Sequence, residues 1–303
     1  MRFIFGWLLV LKCFAGEAIP VIWQDLKGGY EWDSDWIKEI LSEVPIVHVY
    51  DGEYKEVIDR AIVVAYGNQE YEGYFQKFIE KGYKFGVIHL SDENYTHSTA
   101  HYEKASFVLR NLWHEKFQDQ KNVYVYPLGY AGGFWKNGNQ KKVKKISDRS
   151  YVWSFAGQVS KSTRKEMIAH MKTIKKHYFH KIKSFDDPKS LPHWKYREVM
   201  QNTMFIPCPR GFVNVDSFRV WEALECGCIP IVEKDPTDYF TQGFGPNPFL
   251  SVTNWSEAPE LIQHLLDHPK QLKALQDNCY RWWMDYKKQM KQDIKEIVLE
   301  AFD

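Results

Sequence analysis

The stretch "FIPCPRGFVNVDSFRVWEALECGCIPIVEKD", Phe205 to Asp235, decides how the chain is read. Its two ends, FIPC and CIPIVE, are short apolar runs of the kind that form buried strands. Between them, residues from about Asp216 to Cys226 carry apolar side chains on most sides of a helix, and such a helix is buried. Strand, buried helix and strand make one unit of a parallel α/β sheet. Four charges sit inside it. Arg210 stands at the strand exit, Asp216 at the expected N-cap, and Arg219 and Glu222 share a helix face three residues apart. Buried charges require partners or a ligand. A pairing of Arg219 with Glu222 or Asp216 is the purely structural explanation. Gly211, beside Arg210, is read as a place where the backbone can approach something closely.

The same alternation runs outward from this stretch. Upstream, IPVIWQ (19–24), PIVHVY (45–50), AIVVAY (61–66), KFGVIHL (84–90), SFVLRNLW (106–113) and VYVYPLG (123–129) are apolar runs, with helical patterns at 34–42 and 71–81. YVWSFAG (151–157), followed by a helix near 163–176, and TMFIPCP (203–209) continue it, and residues 256–302 read as helical. Strands alternating with helices predict parallel sheets. Residues 136–150 are polar and basic and read as an exposed linker. The predicted organisation is an N-terminal segment 1–18, a Rossmann-like domain 19–135, the linker 136–150, a second Rossmann-like domain 151–285 and a C-terminal helix 286–303. A cleft between two such domains is a natural small-molecule site.

Composition bounds the function. The chain has 303 residues, a net charge of +1, 44% hydrophobic and 26% charged residues, which is ordinary globular usage. Near-neutral charge argues against a nucleic-acid binder. The five cysteines, Cys13, Cys208, Cys226, Cys228 and Cys279, form no CxxC pair and no disulfide framework, and read as small buried residues. The start, MRFIFGWLLVLKCFAGEA, has a basic residue, a short apolar run and small residues near Ala18, which is a signal-peptide pattern. It is too short for a span of ~20 residues. A secretory lumen, Golgi-like, is the location this implies, with membrane association as an extension; without that signal the location is cytosolic. The sequons at Asn94 and Asn254 have meaning only in the first case.

Several ordered motifs then converge. Tyr196, Met200, Phe205-Ile-Pro-Cys-Pro-Arg-Gly, Asp216-Ser-Phe-Arg, Glu222-Ala-Leu and Gly227-Cys-Ile-Pro-Ile, with SFAG and Arg164 before them, resemble the donor-binding half of the exostosin-like glycosyltransferases, glycosyltransferase family 47. The resemblance is tight over about 150–235 and looser in HLSDE (89–93), VLRN (108–111) and YPLGY (126–130). It implies a GT-B fold of two Rossmann-like domains and inverting sugar transfer from a nucleotide sugar, with a uridine diphosphate sugar as the family's donor. It implies a glycan or glycoconjugate acceptor and no obligatory metal. A partner transferase is a further interaction it allows. Glu222 would accept hydrogen bonds from sugar or ribose hydroxyls. Arg164 and Arg210, aided by helix N-termini, would neutralise the departing diphosphate, with Lys161 and Lys165 adding charge. Asp216, Ser217 and Arg219 would shape the loop under the donor. An inverting enzyme also needs a base for the acceptor hydroxyl. Asp92 after VIHL is the first candidate, Glu93 the second and His89 the third, with Arg110 holding the carboxylate or touching the acceptor. The structural alternative is that Asp92 caps the segment after it.

Other patterns compete. Asp33-Ser-Asp35 is a formal DxD, explained by capping of the helix it precedes. His97 with His101, and His177 with His180, are spaced for a shared helix face but lack further metal ligands. KKVKK (141–145) reads as a solvated loop. Two further functional readings stay open. One is an inactive sugar-binding or partner-subunit protein. The other is a retaining GT-B enzyme, in which Glu225 or Glu233 would supply a second glutamate.

Overall fold

The computed structural model describes residues 18–23, 30–50, 56–66, 72–136, 143–184 and 187–303. The expected signal segment lies outside them apart from Ala18, as does Cys13. Among the described residues no helix is long and apolar enough to cross a membrane. The chain divides into two compact units, Met1–Tyr126 with Lys288–Asp303, and Pro127–Lys287.

Unit 1 holds β1 (Ile19–Trp23), α1 (Tyr30–Ile40), β2 (Ile46–Tyr50), β3 (Ala61–Tyr66), α2 (Glu72–Lys81), β4 (Phe85–Leu90), β5 (Phe107–Arg110) and β6 (Val123–Val125). The sheet order is β2-β1-β3-β4-β5-β6, with every neighbouring pair parallel. Strands β4 and β5 are buried along their whole length. Their continuous Val, Ile, Leu and Phe content is what a sheet covered on both faces demands. Phe75 and Phe78 of α2 pack on Phe85, ring centroids 5.4 and 5.1 Å away.

Unit 2 holds β7 (Tyr151–Gln158), α3 (Arg164–Met171), β8 (His177–Ile182), α4 (His193–Gln201), β9 (Thr203–Cys208), α5 (Phe218–Glu225), β10 (Ile229–Glu233), α6 (Tyr239–Phe244), β11 (Leu250–Val252) and α7 (Ala258–Asp267). Its sheet, β11-β10-β9-β7-β8, is also parallel throughout. In both units the second strand lies outside the first and the chain then builds to the other side. The switch points are therefore β1/β3 and β7/β9, and ligands of open parallel sheets sit at the carboxyl ends of strands beside such points. The last helix, α8 (Pro269–Phe302), begins in unit 2, and its residues from Lys288 onward belong to unit 1.

Several expectations change here. The unit boundary falls at Tyr126/Pro127 rather than near 136–150. The described end of the expected linker, residues 143–150, is mostly exposed as expected but is pinned at two points. Ile146 and Arg149 are buried, and Arg149 donates to the carbonyls of Thr203 (2.5 Å) and Cys226 (2.9 Å). The C-terminal helix starts at 269, not 286. His177 and His180 lie on strand β8, not on a helix. His101 sits in a short 3-10 helix and His97 before it, so these two share no α-helical face. Gly227 (φ +63) ends α5, and a Cβ there would meet Val143 at 2.4 Å. Its neighbours Cys226 and Cys228 are buried free thiols, pushed up by burial.

Candidate functional site

The carboxyl edge of the unit 2 sheet collects the charged residues singled out from sequence. Arg164 opens α3 just after β7, and Arg219 lies in the first turn of α5 just after β9. Both guanidiniums approach the ring of Phe155, at 6.0 and 4.5 Å. Arg164 donates to the Gln158 carbonyl (2.9 Å) and Arg219 to the Ala156 carbonyl (3.0 Å). Gly157 makes room for this: a Cβ at its φ of +154 would stand 3.0 Å from Arg219 Nη2. Neither arginine forms an ion pair among the described residues. The Nε atom of each is buried without a hydrogen-bond partner, as is Ser217 Oγ. Burial, then the neighbouring charge of Arg219, pulls Arg164 down to about 10, so it stays cationic at neutral pH. Buried donors facing no acceptor in a cationic site are what an anionic ligand satisfies.

The other expected donor-side residues have mixed roles. Glu222 is buried on α5 and accepts from the Ala131 amide (3.3 Å) and Tyr196 Oη (3.1 Å). Burial raises its carboxyl, against those two bonds and the charge of Arg219. Asp216 does not cap α5. The N-cap position is Ser217, and the Asp216 carboxylate accepts from Trp221 Nε1 (2.6 Å) and Tyr239 Oη (3.2 Å). Burial nevertheless pushes it up to about 7. Arg219 pairs with neither Glu222 nor Asp216; its bond goes to the backbone of β7. Arg210 is held by Glu233, Nε to Oε2 at 2.6 Å. Gly211 has no positive φ and a Cβ would fit, 3.6 Å from Asn214 O, so glycine is not required there. Lys161 lies over the exposed ring of Phe212 at 3.7 Å, and Lys165 is exposed on α3.

The carboxyl edge of unit 1 carries a buried hydrogen-bond chain. Asp92 is 1% exposed. It accepts from the backbone of Thr96 (2.9 Å) and His97 (3.2 Å) and from Arg110 Nη2 (3.3 Å). Arg110, fully buried, also donates to Tyr102 Oη (3.0 Å), which contacts His89 Nδ1 (2.7 Å). His89 Nε2 in turn meets His97 Nδ1 at 3.0 Å. Proton positions follow from the inventory of donors. Arginine only donates, so Tyr102 accepts from it, and the arrangement in which no donor of the chain goes unmet has Tyr102 give its own hydrogen to His89 Nδ1. His89 then carries its proton on Nε2, and His97 carries its proton on the outer nitrogen. Burial, and then the nearby cations, hold His89 well below its usual range and therefore neutral.

This order of protons bears on the expected base. His89 has no outward lone pair, and Asp92 is a turn cap and counter-ion to Arg110 rather than an open carboxylate. Glu93 is the exposed member of the three. His89, Asp92 and His97 also bring possible metal ligands within 4.8 Å of one another. A cation there would oppose Arg110. It would also move the His89 proton to Nδ1 and strand the Tyr102 hydrogen in a buried place, which costs about 1–3 kcal/mol. The donor set suits a hydrogen-bond chain better than a cation.

Asp33 was read as a cap and is not one. It lies inside α1, 1% exposed, with Oδ1 unpartnered. Burial alone pushes its carboxyl up to about 7. Tyr126 Oη, also buried and unpartnered, is close enough that the Asp33 charge raises it further. Glu233 was read only as a second glutamate, and its grip on Arg210 joins residues distant in sequence.

Two parallel Rossmann-like units, with a cluster of cationic side chains on the second, define the GT-B class. T4 phage beta-glucosyltransferase is similar in fold at a TM-score of 0.54, with 15% identity, over 93% of this chain and 99% of that one. An alpha1,3-fucosyltransferase is similar at 0.54, with 12% identity, over 92% and 91%. The sequence then narrows the class. Residues 134–302 match the RXYLT1 C-terminal domain family, and the chain belongs to this family of exostosin-like glycosyltransferases. Ribitol-5-phosphate xylosyltransferase 1 of Danio rerio is 23% identical over 61% of this chain and 46% of its own length. Exostosin-1 of Bos taurus is 26% identical over 36% of this chain and 14% of its own. The chain thus spans less than half the length of these curated relatives.

Proposed function

We propose that the chain is an inverting glycosyltransferase that binds a nucleoside diphosphate sugar, a uridine diphosphate sugar first among them, on unit 2. The observation that carries this is the pair Arg164 and Arg219. Two like charges lean on one aromatic ring with buried donors unmet. A diphosphate supplies acceptors for both and becomes more negative as the sugar leaves, so the interaction strengthens toward the transition state. Glu222 keeps lone pairs for a donor hydroxyl. The retaining alternative loses support from the geometry. Glu225 is tied to Trp283 Nε1 (3.0 Å) and Lys287 (2.7 Å), and Glu233 to Arg210 and Trp255. On unit 1, Glu93 is the accessible carboxylate proposed for the acceptor proton.

The relatives' names make a xylose-bearing donor and a ribitol 5-phosphate acceptor the first pair to try. A secretory lumen, contact with a membrane and a partner transferase belong to the same proposal.

The test is a thermal-shift panel of nucleoside diphosphates, with release of nucleoside diphosphate from the matching sugar nucleotide. One nucleotide at a hundred times its Kd should stabilise by about 2.7 kcal/mol. Arg164→Ala and Glu222→Ala should each lose most of that shift, and Glu93→Gln should keep it while release slows. No shift with any nucleotide would overturn the reading.

A further inference from the structure

The geometry points to Glu233 as the residue that positions the donor site, holding Arg210 and the start of α3 in place through one carboxylate. This rests on the donor-site reading above and deepens it. Glu233 ends β10 and is 7% exposed. Four donors from three separate segments converge on it. Thr163 gives its hydroxyl to Oε1, Trp255 Nε1 donates to Oε1 at 2.8 Å, and Arg210 donates its backbone amide to Oε1 at 3.4 Å and its Nε to Oε2 at 2.6 Å.

The choice of Arg210 nitrogen matters. An ion pair made to neutralise a guanidinium commonly engages both prongs of its fork. Here the hydrogen bond goes to the inner Nε, which leaves the outer edge of the guanidinium for a ligand on a side chain that is 31% exposed. Gripped at its root, Arg210 loses rotamer freedom before a ligand arrives, and an ordered side chain binds with a smaller entropic cost. The second hold is on Thr163, the residue immediately before Arg164. Fixing it fixes the first turn of α3, where Arg164 and the free backbone amides of a helix start lie. One buried acid therefore sets the positions of two cations at the carboxyl edge of the sheet. Trp255, 1% exposed and packed in the core, anchors the acid in turn.

Glu233→Gln separates this role from simple packing. The amide is isosteric and its oxygen still accepts from Trp255 and Thr163. Its NH2 group, however, meets Arg210 Nε donor to donor, so that grip is lost. Binding of whichever of UDP, GDP, ADP or CDP gives the largest thermal shift is measured by calorimetry for the full chain, Glu233→Gln, Arg210→Ala and the double variant. We expect each single variant to weaken Kd about tenfold, measured at a temperature where each variant is folded. The double variant should bind no worse than Arg210→Ala alone, because the glutamine keeps the hold on Thr163 and gives up only the one on Arg210. Glu233→Asp, which keeps the charge but withdraws it by one methylene, gives the same readout should the glutamine variant not fold. Wild-type affinity in Glu233→Gln, or a double variant weakened by the product of the two single effects, overturns the positioning role while leaving the donor site standing. No nucleotide binding by the wild-type chain overturns both.

Discussion

Asp33 and Asp216 show how differently a buried carboxyl can be kept. Burial pushes both up to about 7, yet Asp216 has Trp221 and Tyr239 to bond it while Asp33 Oδ1 has no partner. Each folded-state value lies above the ordinary carboxyl value of 3.8. In the window between 3.8 and about 7 the folded chain holds protons that the unfolded chain has released, so stability falls as pH rises through it. At 1.36 kcal/mol per unit, a shift of that size costs each group up to about 4 kcal/mol at pH 8. Asp33→Asn should therefore raise the free energy of unfolding at pH 8 by up to a few kcal/mol, seen as a higher urea midpoint, and leave it nearly unchanged at pH 4. A denaturation series across that range checks it, and equal effects at both ends would contradict it. The sequence shows Asp33 only as part of a DxD before a helix. Nothing in one dimension shows that Oδ1 ends without a donor. Arg210, Arg219 and Glu222 stand out in the sequence because charges in an apolar βαβ unit are conspicuous, whereas Arg164 stands out only through the family resemblance. Glu233 does not stand out, since its meaning comes from residues 163, 210 and 255 arriving at one point.

At the scale of elements, α5 is held from behind by α8. Trp283 packs on Trp221 with ring centroids 5.1 Å apart, and Lys287 pairs with the buried Glu225 at 2.7 Å. Removing one partner of a buried pair leaves a charge without compensation, so Lys287→Met should cost about 3 kcal/mol. It should do so without selective loss of nucleotide affinity, because α5 presents its other face to the donor residues. Chemical denaturation with and without nucleotide measures both. The central strands were readable because full burial on two faces writes itself as an unbroken apolar run. β8 was not. As an edge strand, HYFHKI is half-buried, carries two histidines and a lysine, and has no such run. The helix after β7 was expected to reach Lys176, but it stops at Met171.

At the scale of the whole molecule, the boundary at Tyr126/Pro127 lies well ahead of the polar stretch that suggested one. Arg149 explains the discrepancy, since a basic residue that binds buried carbonyls reads in sequence like any solvated one. The end of α8 completes unit 1. Val298 and Phe302 are buried, Phe302 lies 5.6 Å from Phe107, and Lys291 pairs with Glu39 at 3.0 Å. Burial of Ile294, Val298 and Phe302 contributes about 2 kcal/mol each, a total comparable with the whole stability of a small domain. Deleting residues 288–303 should abolish slow amide exchange in β3, β4 and β5 while β7, β9 and β10 stay protected. Undiminished protection in unit 1 would show that the helix end is dispensable.

The same helix end sets an order of events on the ribosome. Chains emerge amino terminus first, and domains ordinarily fold in that order. Here the sheet of unit 1 lacks one of its covers until the turns of α8 from Lys288 onward leave the exit tunnel. The later unit is continuous from Pro127 to Lys287 and has all its parts first. The nascent protein should thus complete unit 2 before unit 1. During that interval an apolar sheet face stands open to chaperones, and loss of the helix end would leave it open for good.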